Sequence, residues 1–462
     1  MPIPWHILKE IISFIPITNL VELRRVNKAW LAAANKPFLS YLEYNSAGHF
    51  TPELRTTPES LNNLKLVTML RLSHFDSIGG KVLSGFCPSV QYLTLEEPIC
   101  DKFPLPDSFF KFYQGLTFLE NLFINIALPY SSLSRLAPKV KDLSTLTFSA
   151  ALLSENELLD LLQCFSSEKL NTLGLDDMKS TKMITDCVSF EFPQLTKFRS
   201  SVVALDTEIL SVKNFIPKAE VNLVRVAINI PGDIKPMNID LVGFQKLKSL
   251  ILVSKLIHLN IASYRFGEKY SHIEFLSLLC HRISFLKHLT VTFPGLKTLV
   301  ICCKRILPDD FNHFLSTLFN IQHLSLHIYE RPQLIFSLHF QEYAITKLAL
   351  NFKCHVSSEF FIWISTCLPQ LTELSLISTS TASIEDSFLE LSQPLTTLFR
   401  FVSTQELSMR FWNVFVPSAT NLAFIHLKTC QQNNSEALPS TFPHIFVTES
   451  NDIVGMVVSP FA

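Results

Sequence analysis

An apolar motif of the form LxxLxL, with Val, Ile or Phe admitted at the apolar sites, returns along this chain at nearly even spacing. That spacing restricts the fold more than any other feature. Clear copies are Leu119-x-x-Leu122-x-Ile124, Leu170-x-x-Leu173-x-Leu175, Leu247-x-x-Leu250-x-Leu252 and Ile273-x-x-Leu276-x-Leu278. Ile321-x-x-Leu324-x-Leu326, Ile345-x-x-Leu348-x-Leu350 and Leu371-x-x-Leu374-x-Leu376 continue the series. With weaker copies the motif starts at 67, 90, 119, 143, 170, 195, 221, 247, 273, 296, 321, 345, 371, 395 and 422. These 15 starts lie 23 to 29 residues apart, and the copies at 195, 221 and 395 are degenerate. A fixed period of this length is the mark of a repeat architecture.

The fourth and sixth motif positions alternate along a strand and so share one face. The residues between motifs must return the chain to the next strand, and several returns read as helices. Ser154-x-x-Glu157 is a capping box ahead of Leu158, Leu161, Leu162 and Phe165 at helical spacing. Pro308-Asp309-Asp310 opens a second helix carrying Phe311, Phe314, Leu315 and Leu318, and Phe361, Ile364, Cys367 and Leu368 mark a third. One strand and one return of about 25 residues, stacked in parallel, make an α/β leucine-rich-repeat solenoid, with strands on the concave side and helices or irregular segments on the convex side. The Asn or Cys that usually follows the strand and ties neighbouring turns is mostly missing, which predicts irregular turns.

Composition fits an extended core. The chain has 462 residues, 48% hydrophobic and 17% charged, with only 11 Gly but 39 Phe. The length exceeds what one ordinary core holds. A net charge of −1 argues against a nucleic-acid footprint, which needs a basic excess. The longest run free of Asp, Glu, Lys and Arg, 411–427, is 17 residues long and includes Asn413 and Pro417, too short and polar to span a bilayer. Lys9 and Glu10 interrupt the apolar N-terminus, so no secretory signal is read there. The ten cysteines show no CxxC and read as small core hydrophobes.

Residues 4–15 place Ile7, Leu8, Ile11, Ile12 and Ile15 on one helical stripe, with Pro4 in the first turn and Pro16 as a stop. Thr18 caps a second helix bearing Leu20, Leu23, Val26 and Trp30. A bundle this small needs something to pack on. The order Ile3-Pro4, apolar helix, Pro16, Asn19-Leu20, then Val26-x-Lys28-x-Trp30 resembles the F-box signature. It departs from the family at Ile3 and Asn19, where Leu and Asp are usual, and at Asn27, where Cys is frequent.

The domain organisation read from the sequence is therefore an F-box module over 1–42, a linker or cap over 43–66, the repeats over 67–430 and a C-terminal cap or tail over 431–462. Resemblance to F-box proteins with leucine-rich repeats implies a substrate receptor of a Skp–cullin–F-box ubiquitin ligase. Pro4, Ile7, Leu8, Ile11, Ile12, Val26 and Trp30 would then meet the Skp-type adaptor, and through it cullin, while the repeats hold a protein target. The alternative is a non-catalytic repeat scaffold or inhibitor without a ligase. Both place the chain in the cytoplasm, the nucleus or both.

No enzyme motif is present. Gly79-Gly80-Lys81 lacks the first Gly and the Ser/Thr of a phosphate loop, and no HExxH occurs among 14 His. His323 and His327 are four apart, but on a strand that spacing is too long for chelation. Neither a cofactor nor a membrane or nucleic-acid partner is expected. The third, fifth and seventh motif positions line the concave face. They include Lys197, Arg199 and Arg225, a candidate basic patch for the target, with Asp176 one repeat earlier. Farther on, the fifth positions are read as Ile251, Ser277, Val300, Ser325, Ala349, Ser375 and Phe399, a neutral floor. Such a face suits an acidic or phosphorylated segment beside an apolar one.

Overall fold

The computed structural model describes residues 41–44, 67–73, 75, 83, 89–96, 104–165, 169–179, 192–202, 223–229, 241, 244–253, 258–260, 270–284, 289–306, 314, 318–328, 342–352, 358–378, 394–404, 407, 409–428, 438, 441–442 and 444–450. The expected F-box helices and the seven candidate adaptor residues, Pro4, Ile7, Leu8, Ile11, Ile12, Val26 and Trp30, lie outside these. The chain divides into two compact units: Met1–Asp206 with Pro217–Asn222, and Thr207–Ile216 with Leu223–Ala462.

Among the described residues, unit one holds β1 (Tyr41–Tyr44), β2 (Met69–Leu72), β3 (Tyr92–Leu95), β4 (Asn121–Ala127), β5 (Thr145–Ser149), β6 (Thr172–Met178) and β7 (Lys197–Val202). Each pairs parallel with the next. Its helices are α1 (Asp107–Gly115), α2 (Tyr130–Val140) and α3 (Glu155–Phe165). The capping box forms as the sequence implies. The Ser154 N–H donates to Glu157 Oε2 at 2.8 Å, and the Glu157 N–H donates back to Ser154 Oγ at 3.4 Å. Lys139 on α2 donates to the carbonyls of Tyr113 and Gln114 at 3.0 and 2.9 Å, satisfying acceptors that the end of α1 leaves open.

Unit two holds β8 (Arg225–Asn229), β9 (Ser249–Val253), β10 (His258–Asn260), β11 (Phe275–Ser284), β12 (Thr298–Ile306) and β13 (His323–Ile328). It continues with β14 (Lys347–Phe352), β15 (Glu373–Ser378), β16 (Arg400–Ser403), β17 (Phe424–Lys428) and β18 (Phe446–Ser450). Again the strands are parallel. β9 and β10 lie end to end beside the long β11, on Phe275–Leu279 and Arg282–Ser284 respectively. The helices are a single turn α4 (Leu289–Thr292), α5 (Ser358–Cys367) and α6 (Met409–Ser418). Of the helix expected after Pro308, only Phe314 and Leu318 are described, and both are buried.

One backbone device fixes the register. The carbonyl of the second motif position accepts two N–H bonds from the next repeat. Gln91 and Tyr92 bond Thr68, Lys297 and Thr298 bond Glu274, and Phe399 and Arg400 bond Thr372, all at 2.8–3.0 Å. Ahead of many strands the first motif N–H closes a turn onto the carbonyl three residues back. Leu296 bonds Phe293, Leu371 bonds Leu368 and Leu398 bonds Leu395, each at 3.1 Å. The backbone donors at these joints are thereby paired, as interiors require.

This ladder corrects the register of two motifs. The copy assigned to 221 starts at 223: Arg225 pairs with Ser249, Leu223, Val226 and Ile228 are buried, and Val224 is exposed. The copy assigned to 395 starts at 398, because Arg400 pairs with Glu373 and Phe401 with Leu374. The reason is the same at both places. Apolar residues in the closing turn mimic the motif, and backbone pairing, not apolar spacing, selects the strand. Elsewhere the first, fourth and sixth positions form the core, as in Leu119, Leu122 and Ile124 or Leu371, Leu374 and Leu376. Each such side chain contributes roughly 1.5–3 kcal/mol relative to exposure. Phenylalanines fill the gap between sheet and returns, with Phe401 against Phe411, Trp412 and Phe415 at 4.8–6.3 Å between ring centroids.

Candidate interaction surface

The face of the sheet turned away from the helices carries motif positions three, five and seven. In unit one two of its arginines are matched by carboxylates. Arg71 pairs with Glu96, and Asn125 donates to the same carboxylate at 3.5 Å. Arg199 grips Asp176 through two bonds of 3.2 and 2.6 Å. β6 bulges after Leu175, and Asp177 there takes a left-handed conformation (φ 56°), held by its N–H on Ser201 Oγ and by Ser149 donating to its carboxylate. Aspartate tolerates that conformation better than most residues.

Of the candidate basic residues, Lys197 and Arg199 sit on β7 in unit one, both exposed, and Arg225 sits on β8 in unit two, half-buried. Arg199 is already compensated by Asp176. With the register at 223, Arg225 holds position three, not five; it stays on the open face.

In unit two the open face is less uniform than the sequence implies. Position five runs Ile251, Ser277, Val300, Ser325, Ala349, Ser375 and then Val402, which replaces Phe399. Phe399 belongs to position two, 49% exposed, with its ring 5.1 Å from that of Phe424. The charges lie on position three: His323, Lys347, Glu373 and Arg400 occupy successive strands in register. The small side chains of row five on β12 to β16, closed by His426 on β17, leave a hollow of about 200 Å³ beneath this row.

Lys347 donates to Glu373 at 2.8 Å. The Arg400 guanidinium makes no hydrogen bond or ion pair with a described residue. Burial, with Lys347 nearby, holds His323 below the usual imidazole range, and burial with Arg400 nearby does the same to His426. Both are thereby biased to the neutral form. His327, at position seven of β13, is fully buried and pushed down to about 4 by desolvation.

Ser325 and His327 Nε2 share a 2.8 Å hydrogen bond, and among the described residues His327 Nδ1 has no hydrogen-bond partner. Among the described residues no group of three or more His, Cys, Asp or Glu is placed to hold a metal ion. Among cysteines with described side chains, Cys302, Cys303 and Cys367 are buried, while Cys164 is exposed, against the expectation that they are core hydrophobes. Burial raises the Cys303 thiol to about 12, which keeps it unreactive. Among the described residues no helix is long and apolar enough to cross a membrane.

Comparison with known proteins gives one sequence match: the F-box domain family matches residues 3–40. No curated protein matches the chain. Many solved structures are similar at low identity, among them the following three. The TLR13–ssRNA13 complex is 14% identical over 85% of this chain, with a TM-score of 0.39, and this chain spans 62% of it. An internalin from Listeria monocytogenes is 14% identical over 81% of this chain and 92% of its own, with a TM-score of 0.37. A leucine-rich-repeat protein from Leptospira interrogans is 15% identical over 94% and 97%, with a TM-score of 0.33. The chain joins an F-box domain at residues 3–40 to a leucine-rich-repeat array whose first described strand, β1, begins at Tyr41.

Proposed function

We propose that this protein is the substrate-recognition subunit of a Skp–cullin–F-box ubiquitin ligase. The observation that carries the reading is the direct succession of an F-box domain (3–40) and a parallel repeat sheet from Tyr41 onward, so that adaptor module and binding surface follow one another without a spacer in sequence. The Skp-type adaptor docks on Pro4, Ile7, Leu8, Ile11, Ile12, Val26 and Trp30, and cullin is reached through it. The open face of the repeats holds a protein target, with Lys197, Arg199 and Arg225 among the contacts. The receptor itself does no chemistry. It raises the effective concentration of target lysines near the ubiquitin-loaded conjugating enzyme. This assembly works in the cytoplasm or nucleus.

Affinity purification of the full chain followed by mass spectrometry tests the reading. Adaptor and cullin should co-purify with it, and recovery of repeat-bound proteins without either would leave a plain scaffold or inhibitor in place of a ligase receptor.

A further inference from the structure

The hollow of unit two has a specific electrostatic shape. Arg71 and Arg199 on the open face of unit one are each matched by a carboxylate, Glu96 and Asp176. In the row over the hollow, Lys347 and Glu373 cancel. Arg400, the next residue along the row, is left with no ion pair or hydrogen bond to a described residue. His323, at the start of the row, and His426, at position five of β17, are biased to the neutral form. Among the described residues, one positive charge therefore stands uncompensated over a floor of small side chains, Val300, Ser325, Ala349, Ser375 and Val402.

We infer that this hollow takes one acidic side chain, Asp or Glu, from an extended segment of the target whose neighbouring residues are small and apolar. The inference rests on the receptor reading above and names the chemistry of the segment received. Charge decides the first part. A carboxylate cancels the single charge of Arg400 and forms a charge-assisted bond with it. A phosphate dianion would leave an excess negative charge beside Glu373. Size decides the second part. From β12 to β16 no side chain of the floor is larger than valine, so there is room for side chains to descend beside the acid, and His426 closes the row on β17. Five steps between strands of ~4.8 Å span roughly 24 Å, the length of about seven extended residues at ~3.4 Å each. At one end Phe399 and Phe424 offer exposed apolar edges against which a small aliphatic residue can rest.

The test uses the full chain with its adaptor and fluorescent acetylated nonapeptides. The central residue is Glu, Gln, Lys or phosphoserine, and the other positions are drawn from Ala, Val, Ser and Leu. Fluorescence anisotropy should show the Glu pool binding about tenfold more tightly than the Gln pool, the loss expected for one hydrogen bond to a charged group. Arg400→Gln should erase that preference, and Arg400→Glu should transfer it to the Lys pool. Equal binding of Glu and Gln pools by the wild type, tighter binding of phosphoserine, an unchanged preference in Arg400→Gln, or no binding by any pool overturns the inference. Circular dichroism confirms the fold of each variant. Adaptor retention, scored on the same samples, reports separately on the receptor reading: a chain that binds acidic peptides without adaptor keeps this inference and loses the other.

Discussion

Gly295→Ala probes the repeat joint at its tightest point. Gly295 follows Pro294 in the turn ahead of β12, and a Cβ placed on it runs directly into the backbone carbonyl of Ser271 in the preceding repeat. Neither side can yield easily. The Gly295 turn is closed by Leu296 N–H on the Phe293 carbonyl at 3.1 Å, and its strand is held by two bonds of 2.9 Å from Lys297 and Thr298 to Glu274. The facing turn is closed by Ile273 N–H on Tyr270 at 3.3 Å. Restricting the unfolded chain would ordinarily gain about 0.4–1 kcal/mol from Gly→Ala. Overpacking of this kind costs about 1–3 kcal/mol, so the net effect should be a loss of roughly 1–2 kcal/mol. In a unit of this size each kcal/mol lowers the melting midpoint by about 2–4 °C. Thermal unfolding followed by circular dichroism measures it, with hydrogen exchange across the 270–298 joint to localise the opening. Gly115→Ala is the control: at the end of α1 nothing lies within 4 Å of where its methyl group would stand, so it should be neutral or stabilising. If Gly295→Ala melts at or above the wild-type temperature, the joint is not packed as described.

Acid should weaken unit two through His327. Its folded-state value of about 4 lies below the ordinary imidazole value of 6.5, so the stability it confers is fully present above pH 6.5 and is lost as pH falls toward 4. The loss is on the order of 3 kcal/mol for a fully buried ring, and His327→Gln should flatten that part of a urea-unfolding profile; an unchanged slope would show that the ring is hydrated. On the proposed target surface, reversing the charges of Lys197, Arg199 and Arg225 to Glu should lower target capture and its salt sensitivity while adaptor binding holds. Undiminished capture by the folded variant would move the target away from these strands.

The strands are legible in the sequence because the core demands the same three apolar positions in each repeat, and Leu122, Leu173, Leu276 and Leu374 all fall where that demand places them. Register fails at 221 and 395 for a physical reason. Val221-x-x-Val224 and Leu395-x-x-Leu398 satisfy apolar spacing as well as the true strands do, and only the carbonyl of position two, invisible in a hydropathy pattern, separates them. β1 and β18 escape the motif because Tyr41–Tyr44 and Phe446–Ser450 carry Tyr44 and Glu449 at the sixth position, where an apolar branched residue would have marked them. The device joining neighbouring turns is expected after the strand and lies before it. Asn320 donates to the Pro294 carbonyl at 3.2 Å, Thr397 to Pro369 at 2.9 Å and Asn421 to Thr396 at 2.6 Å. A polar residue immediately before the first motif position is the available signal. Arg400 is misplaced with its repeat, so a register error of three residues hides the uncompensated cation over the hollow.

Truncation is a poor way to separate the two halves of this protein, since a cut near residue 60 removes β1, the parallel partner of β2. Point substitution in the full chain is cleaner. The most direct measurement is the affinity of the purified full-length chain for a Skp-type adaptor by isothermal titration calorimetry, wild type against the double variant Ile11→Ala, Trp30→Ala. Tight one-to-one binding by the wild type, weakened by a few kcal/mol in the variant as expected for truncated interface anchors, is the expected result. Equal affinity of the two proteins, or no binding by the wild type, would contradict the account.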